Sequence, residues 1–324
     1  MQQSVSVACL FLSEFSAALK LPALRADGSA VSALSVLAAV TRERALRALN
    51  ELPPFSPILN KLLASLAKED VSFAQVAEII EKDTVLAGNV LRVVNSALYA
   101  CRGTVNSVTH AIVIMGLVKL RNTALGFSVS RMWMNVRTPR GWSNARFNLH
   151  SVATAVLADQ IAQRLPVSYP EGAFAAGLFH DLGKLLLAVG LPEDYEEVRR
   201  LLKFGDQSLL SCEREALGVT HAELSALALE KWNLPKPIQL AAGFHHDPSA
   251  VPKTEYQDYP FTLAHVIHAA DATVNQLGIS CDLPPAQPPD TTRFPALEAL
   301  GLQDRIPKVM SEFQAEFEIL KSMY

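Results

Sequence analysis

The chain has 324 residues, about twice a typical domain; half are hydrophobic and 19% charged, with a formal net charge of −3 and a mean hydropathy of +0.19. This composition excludes a disordered chain, and the apolar positions are interrupted by charges before any run reaches the ~18 residues of a membrane span. The four cysteines, Cys9, Cys101, Cys212 and Cys281, are widely spaced without a CxxC, which argues against a disulfide framework or a cysteine zinc site. No basic residue precedes the short apolar stretch in MQQSVSVACLFLSEF, so no secretory signal is read. The expectation is a soluble, cytoplasmic protein with no membrane partner.

Residues 1–50 read as a helical extension with weak caps. From 51 to 140 a first helical lobe follows. Ser72 and Gln75 form a capping box before Val76, Ile79 and Ile80, and Asp83 can cap a helix carrying Leu86, Val90, Val93 and Val94. A third apolar region runs from about Ser107 to Trp133, with Gly116 as a break, and RTPRGWSNARF marks the junction between halves. The second lobe, 141–282, restarts with Leu149, Val152, Val156 and Ile161 at helical spacing. Helices are predicted over about 171–189, 193–203, 208–217, 221–232, 237–246 and 260–277. Thr220 and Glu223 make a second capping box, Pro237 suits a first turn and Gly278 a stop. The remainder, 283–324, combines a Pro-rich linker with an amphipathic helix over about 304–322. The fold class expected is all-α, in two helical lobes.

Charge is unevenly placed. Between Asp83 and Asp159 there is no Asp or Glu, yet that stretch holds Arg92, Arg102, Lys119, Arg121, Arg131, Arg137, Arg140 and Arg146. One explanation is buried helices whose basic residues pair with the acidic remainder. The other is a basic face for an anion or an acidic partner, with Arg92, Arg121 and Arg131 as candidates. No aromatic-interleaved basic pattern or DNA-binding motif is present, so no nucleic-acid role is expected.

The eight histidines carry the main chemical signal. His150 opens one helix, His180 and Asp181 lie together in GLFHDLGKLLL, and His221 sits in a first turn. His245 and His246 end another helix, and Asp271 lies in the last long helix of the second lobe. A bundle can bring all seven together, and such a mixed N/O donor set suits Fe, Mn, Zn or Mg. Adjacent side chains on a helix point ~100° apart, so a carboxylate that bridges two ions beside an imidazole on one of them fits the His180-Asp181 pair. Two ions ~3.5–4 Å apart can activate a water and clamp a phosphate oxygen.

Gly177 and Gly183 flank His180, and each mid-helix glycine costs up to ~1 kcal/mol relative to alanine, so either a site or close helix packing must justify them. Singly, each residue has an ordinary explanation. Asp181 and Lys184 suit an i,i+3 ion pair, Asp271 and His268 a hydrogen bond, and His245-His246 a helix terminus.

In their order, His150, His180-Asp181, His221, His245-His246 and Asp271 resemble the H…HD…H…HH…D pattern of the HD superfamily of metal-dependent phosphohydrolases. HDLGK at 180–184 resembles its HD-GYP branch, which implies that Lys184 contacts phosphate. About residues 50–280 more closely resemble the HDOD domain of bacterial signalling proteins, through LPPFSPILNKLLASL, VSFAQVAEIIEKDTVLAGNVLRVVNSALY, SVTHAIVIMGLVKLRNTALG, Trp142 with HSVATA, and GLFHDLGKLLL. Asp83-Thr84 departs from the family's Asp-Pro, and no GYP follows His246, so cyclic-di-GMP hydrolysis is not expected. The resemblance implies an HD-like bundle in the second lobe and a regulatory module that signals through a protein partner. It also implies one or two divalent ions, Fe, Mn or Zn, on the seven ligands. The alternative is a metal-dependent phosphohydrolase acting on a nucleotide or other phosphate ester, with Asp181 and Lys184 in catalysis. A metal- or nucleotide-binding sensor without turnover lies between the two.

Overall fold

Local caps open about half of the helices. In the computed structural model, which describes residues 33–67, 72–101, 103–204, 207–252, 259–281 and 290–322, the first helix is α1 (Ala33–Arg47). Ser56 caps α2 (Pro57–Ala64), with Pro57 in the first turn. The Ser72–Gln75 capping box opens α3 (Phe73–Glu81). The Asp83 carboxylate accepts from Val85 and Leu86 N–H at 3.0 Å to open α4 (Thr84–Val94). Gly116, at φ +81°, separates α5 (Val108–Met115) from α6 (Leu117–Met134), which are bent 118° apart. A left-handed residue there lets the chain turn without Cβ strain.

The second half begins with α7 (Asn144–Ala162), capped by Ser143 and buried on nearly every side. It is followed in the chain by α8 (Ala173–Phe179), which packs against it, and by α9 (Leu182–Gly190), α10 (Pro192–Phe204) and α11 (Leu209–Leu217). The Thr220–Glu223 capping box opens α12 (His221–Lys231), Pro237 sits in the first turn of α13 (Lys236–Phe244), and α14 (Leu263–Gln276) ends just before Gly278. Two helices, α15 (Pro295–Ala299) and α16 (Ile306–Lys321), finish the chain. Among the described residues the regular structure is helical, apart from one bridge between Val167 and Phe261. The all-α expectation holds.

One apolar core runs from Ala48 to Leu320 and crosses the junction between the halves. An aromatic seam marks that crossing. Phe55 meets Trp232 at 4.5 Å, Trp232 meets Phe179 at 6.0 Å, and Phe179 meets Trp133 at 6.2 Å. Trp133 continues to Phe147 at 5.8 Å, and Trp142 joins Phe147 to Tyr195. The last helix docks on α7, where Lys119 Nζ lies 2.6 Å from Glu316 and 3.2 Å from Asp159, and Arg164 pairs with Glu312. The acid-free block is thus partly neutralised by acids from farther along the chain.

Three expectations need correction. The helix expected over 171–189 is broken at His180-Asp181 into α8 and α9, with Asp181 at φ −97° and ψ 11°. His150 lies well inside α7 rather than at its start. Pro170–Gly190 is apolar and long enough to cross a bilayer on length and composition, but 94% of its most apolar window is buried inside the fold. Residues 1–32, with Cys9, Arg102 and most of the Pro-rich linker (282–289), fall outside the described residues.

The two glycines around His180 permit backbone contact. A Cβ on Gly177 would lie 2.7 Å from Ala155 Cα, and one on Gly183 would lie 2.0 Å from His221 O. Gly183 therefore lets the start of α12 abut the start of α9, where Ser225 Oγ accepts from Gly183 N–H at 2.8 Å. An ordinary helical Gly→Ala change stabilises by up to ~1 kcal/mol. Gly183→Ala reverses that sign and destabilises by about 3 kcal/mol, because the new methyl meets fixed backbone. Urea unfolding of the variant checks this, and unchanged or raised stability would contradict it.

Candidate metal centre

The break between α8 and α9 aims the site. Asp181 occupies the position before α9 yet makes no side-chain cap to that helix. Its carboxylate points instead into a cluster of imidazoles, where the positive end of α9 favours its charge. Oδ2 lies 3.5 Å from both His150 Nε2 and His180 Nε2, while Oδ1 lies 3.3 Å from His221 Nε2 and 3.7 Å from His245 Nε2. Asp181 thus stands between two groups. On one side His150, His180 and Asp271 place their donor atoms within 4.8 Å of one another, and on the other His221, His245 and His246 do the same. All seven predicted ligands converge.

Each ring but that of His246 has a recorded anchor on its outer nitrogen. His150 Nδ1–H donates to Ile279 O at 2.8 Å, His180 Nδ1–H to Gly177 O at 2.8 Å and His245 Nδ1–H to Ala242 O at 2.7 Å. His221 Nδ1–H donates to the Glu213 carboxylate at 2.8 Å. These bonds fix the tautomer, so in the neutral rings the Nε2 lone pairs face inward, as second partners do for ligand histidines. Acceptors then face acceptors. His150 Nε2 lies 3.4 Å from His180 Nε2, and His221 Nε2 lies 3.0 Å from His246 Nε2. Asp181 Oδ1 and His245 Nε2 are buried without a hydrogen-bond partner. Such an arrangement suits a cation at its centre.

Without one, protons partly serve. Burial opposes charge on His150, but hydrogen bonds to Asp181 and Asp271 push it up to about 10. His221 rises to about 9, with burial outweighed by Glu213 and Asp181. His246 falls to about 3 through burial and the neighbouring His221, and His245 falls for the same kind of reason. Burial would raise the Asp181 carboxyl, but the adjoining His180 and Lys184 and hydrogen bonds from His150 and His221 hold it well below the usual carboxylate range. Asp271 is likewise held down against burial by hydrogen bonds from His150 and His180.

Lys184 is 5% exposed, and its Nζ lies 2.8 Å from Asp181 Oδ2, so the i,i+3 ion pair is present within the site itself. His268 is not the partner of Asp271: it donates to His245 O at 2.7 Å, and Asp271 Oδ1 accepts from Asn275 at 2.7 Å. Sequence reasoning missed Glu213, which is fully buried and also accepts from His221 N–H at 2.9 Å, and Cys281, whose Sγ lies 3.6 Å from Asp181 Oδ2. No motif signals Glu213; an acid eight residues before a site histidine is the only hint. A cleft of about 960 Å³ opens beside His246, with Arg214, Thr220, Glu223 and Phe244 among its walls.

The arginine candidates lie apart from this cluster. Arg92 is exposed without an ion pair among the described residues, and Arg131 is exposed but held by Asp83 at 2.6 Å. Arg121 is corrected: it is 6% exposed, donates to Ser65 O at 3.4 Å and has its pKa lowered by burial, so it cannot meet an anion at the surface.

The HDOD domain model matches residues 52–248, and the chain belongs to the HDOD family. Its fold is similar to an HDOD domain protein of unknown function from Geobacter sulfurreducens, at 19% identity and TM-score 0.68, over 88% of this chain and 97% of that one. A Marinobacter aquaeolei VT8 protein whose name places it in signal transduction is 20% identical with TM-score 0.65, over 89% of this chain and 66% of that one. A Shewanella amazonensis SB2B protein named as a phosphohydrolase is 24% identical with TM-score 0.65, over 86% and 98%. An uncharacterized protein of Treponema pallidum (strain Nichols) is 23% identical over 226 residues, 67% of this chain. The match spans 41% of that relative's length.

Glu213→Ala removes the acceptor of both His221 N–H groups in a fully buried position. It lowers stability by about 3 kcal/mol, read as a reduced urea midpoint with unchanged slope. A loss below about 1 kcal/mol would mean that water replaces the carboxylate there.

Proposed function

We propose that this chain is an HDOD regulatory protein of bacterial signal transduction whose second half carries an HD-type divalent-metal site. The observation that supports this reading best is the Asp181 carboxylate set between two histidine groups whose Nε2 atoms converge on it, with Asp181 Oδ1 and His245 Nε2 buried without a hydrogen-bond partner. His150, His180, Asp181 and Asp271 would hold one ion, and His221, His245, His246 and Asp181 a second. The separations of His150 and His180 from each other and from each aspartate, 3.1–3.5 Å, match the edges of a coordination sphere with bonds of about 2.0–2.2 Å. Iron, manganese or zinc suits these donors. A cytoplasmic setting accords with Cys101, Cys212 and Cys281, none of which forms a disulfide. Signal output through a protein partner fits the exposed Arg92 and the helices that surround it.

A metal-dependent phosphohydrolase acting on a nucleotide or other phosphate ester is the second reading, and the cleft beside His246 favours it. A bound ion would supply Lewis acidity toward phosphate oxygens. The chain's own residues would orient it: Lys184 holds the Asp181 oxygen, Glu213 fixes the His221 ring, and Arg214, paired with Glu223 at 2.9 Å, lies at the cleft wall.

Elemental analysis of untagged protein purified without chelator tests the shared premise. About one to two Fe, Mn or Zn per chain are expected, lost in Asp181→Ala. Removing the metal lowers the thermal midpoint, because an ion at 100 times its Kd adds about 2.7 kcal/mol. Absence of metal after incubation with each ion, with no thermal shift, would rule out the metal site and the phosphohydrolase reading, leaving a regulatory role that rests on a protein partner alone.

A further inference from the structure

Cys281 has no place in the seven-ligand pattern and lies beyond the matched residues 52–248. Gly278, at φ +77°, puts it beside the site. Gly278 N–H bonds to Asn275 O at 2.9 Å and Ile279 N–H to Val274 O at 3.1 Å, the paired closure that ends a helix and reverses the chain. The returning segment supplies Ile279 O to His150 Nδ1–H and sets Cys281 Sγ 3.6 Å from Asp181 Oδ2 and 3.5 Å from Lys184 Nζ. Donor atoms of Cys281, His150 and Asp181 all lie within 4.8 Å of one another.

Resting on the metal-site reading above, we infer that Cys281 is a further ligand to the ion held by His150, His180, Asp181 and Asp271. With a metal–sulfur bond of about 2.3 Å and metal–nitrogen or –oxygen bonds of about 2.0–2.2 Å, the neighbouring donors of a five-coordinate ion stand roughly 2.8–3.8 Å apart. The sulfur–oxygen separation of 3.6 Å falls in that range, as does the 3.5 Å from Asp181 to His150. Independently, Asp181 Oδ1 and His245 Nε2, both buried without a hydrogen-bond partner, leave lone pairs inside the cluster that a cation would satisfy. On binding, the thiol proton passes to solvent and sulfur donates a lone pair to the ion. A thiolate selects zinc or iron over manganese or magnesium. It also fills a coordination position that a substrate would need, which makes this half of the site a holder of metal.

Cobalt(II) substitution of the full chain tests the inference. Wild type should bind cobalt and show a sulfur-to-cobalt charge-transfer band in the near ultraviolet. Cys281→Ser should keep the cobalt and lose the band, whereas Cys101→Ser should keep both. In wild type, cobalt should also slow alkylation of Cys281 at least tenfold while leaving Cys101 unchanged, which holds even if the serine variant misfolds. Full cobalt loading without the band, or a band that survives in Cys281→Ser, overturns the role of Cys281 and leaves the metal site standing. Failure of wild type to bind cobalt overturns both, and Lys184 is then the permanent counter-charge of Asp181.

Discussion

A carboxylate buried among imidazoles sets the terms for the second half of this protein. Asp181 is 1% exposed, and removing such a charge from water costs several kcal/mol unless it is compensated. Lys184 satisfies one oxygen at 2.8 Å, but the other is left facing His221 and His245. Everything near it follows from that need. Four rings turn their protonated nitrogens outward to fixed acceptors, so that their remaining lone pairs face the space around the carboxylate. Protons on His150 and His221 compensate in part, and a divalent ion would do so more completely.

Backbone contacts hold those side chains in place. The break between α8 and α9 turns His180 and Asp181 toward the cluster, and it persists because the start of α9 is tied to α12 through Ser225. The close approach at Gly183 brings His221 to Asp181, while that at Gly177 brings α8 onto α7, the helix of His150. Site and packing are therefore alternatives only in name. The glycines serve helix contact, and the contact assembles the ligands.

What was legible in the sequence was local. The Ser72–Gln75 and Thr220–Glu223 boxes, the Asp83 cap and the Gly116 and Gly278 turns depend on residues a few positions apart, and each lies where it was expected. The seven ligands were legible through their order, since individually none differs from a structural histidine or aspartate. The helix break was not legible, because apolar periodicity continues through GLFHDLGKLLL and only the tertiary contact of Gly183 interrupts it. Glu213 and Cys281 reach the site from distant segments without any spacing rule. Arg121 misled because charge carries no information about burial.

The aromatic seam has an optical consequence. All three tryptophans of the chain, Trp133, Trp142 and Trp232, lie in it, and Trp133 and Trp232 both touch Phe179, the residue before His180. Tryptophan emission, excited selectively over tyrosine, therefore has no source elsewhere in the molecule that could mask the joint between the halves. Any rearrangement of that joint, whether begun at the histidine cluster or at the N-terminal helices, is reported by the protein's own emission without a label.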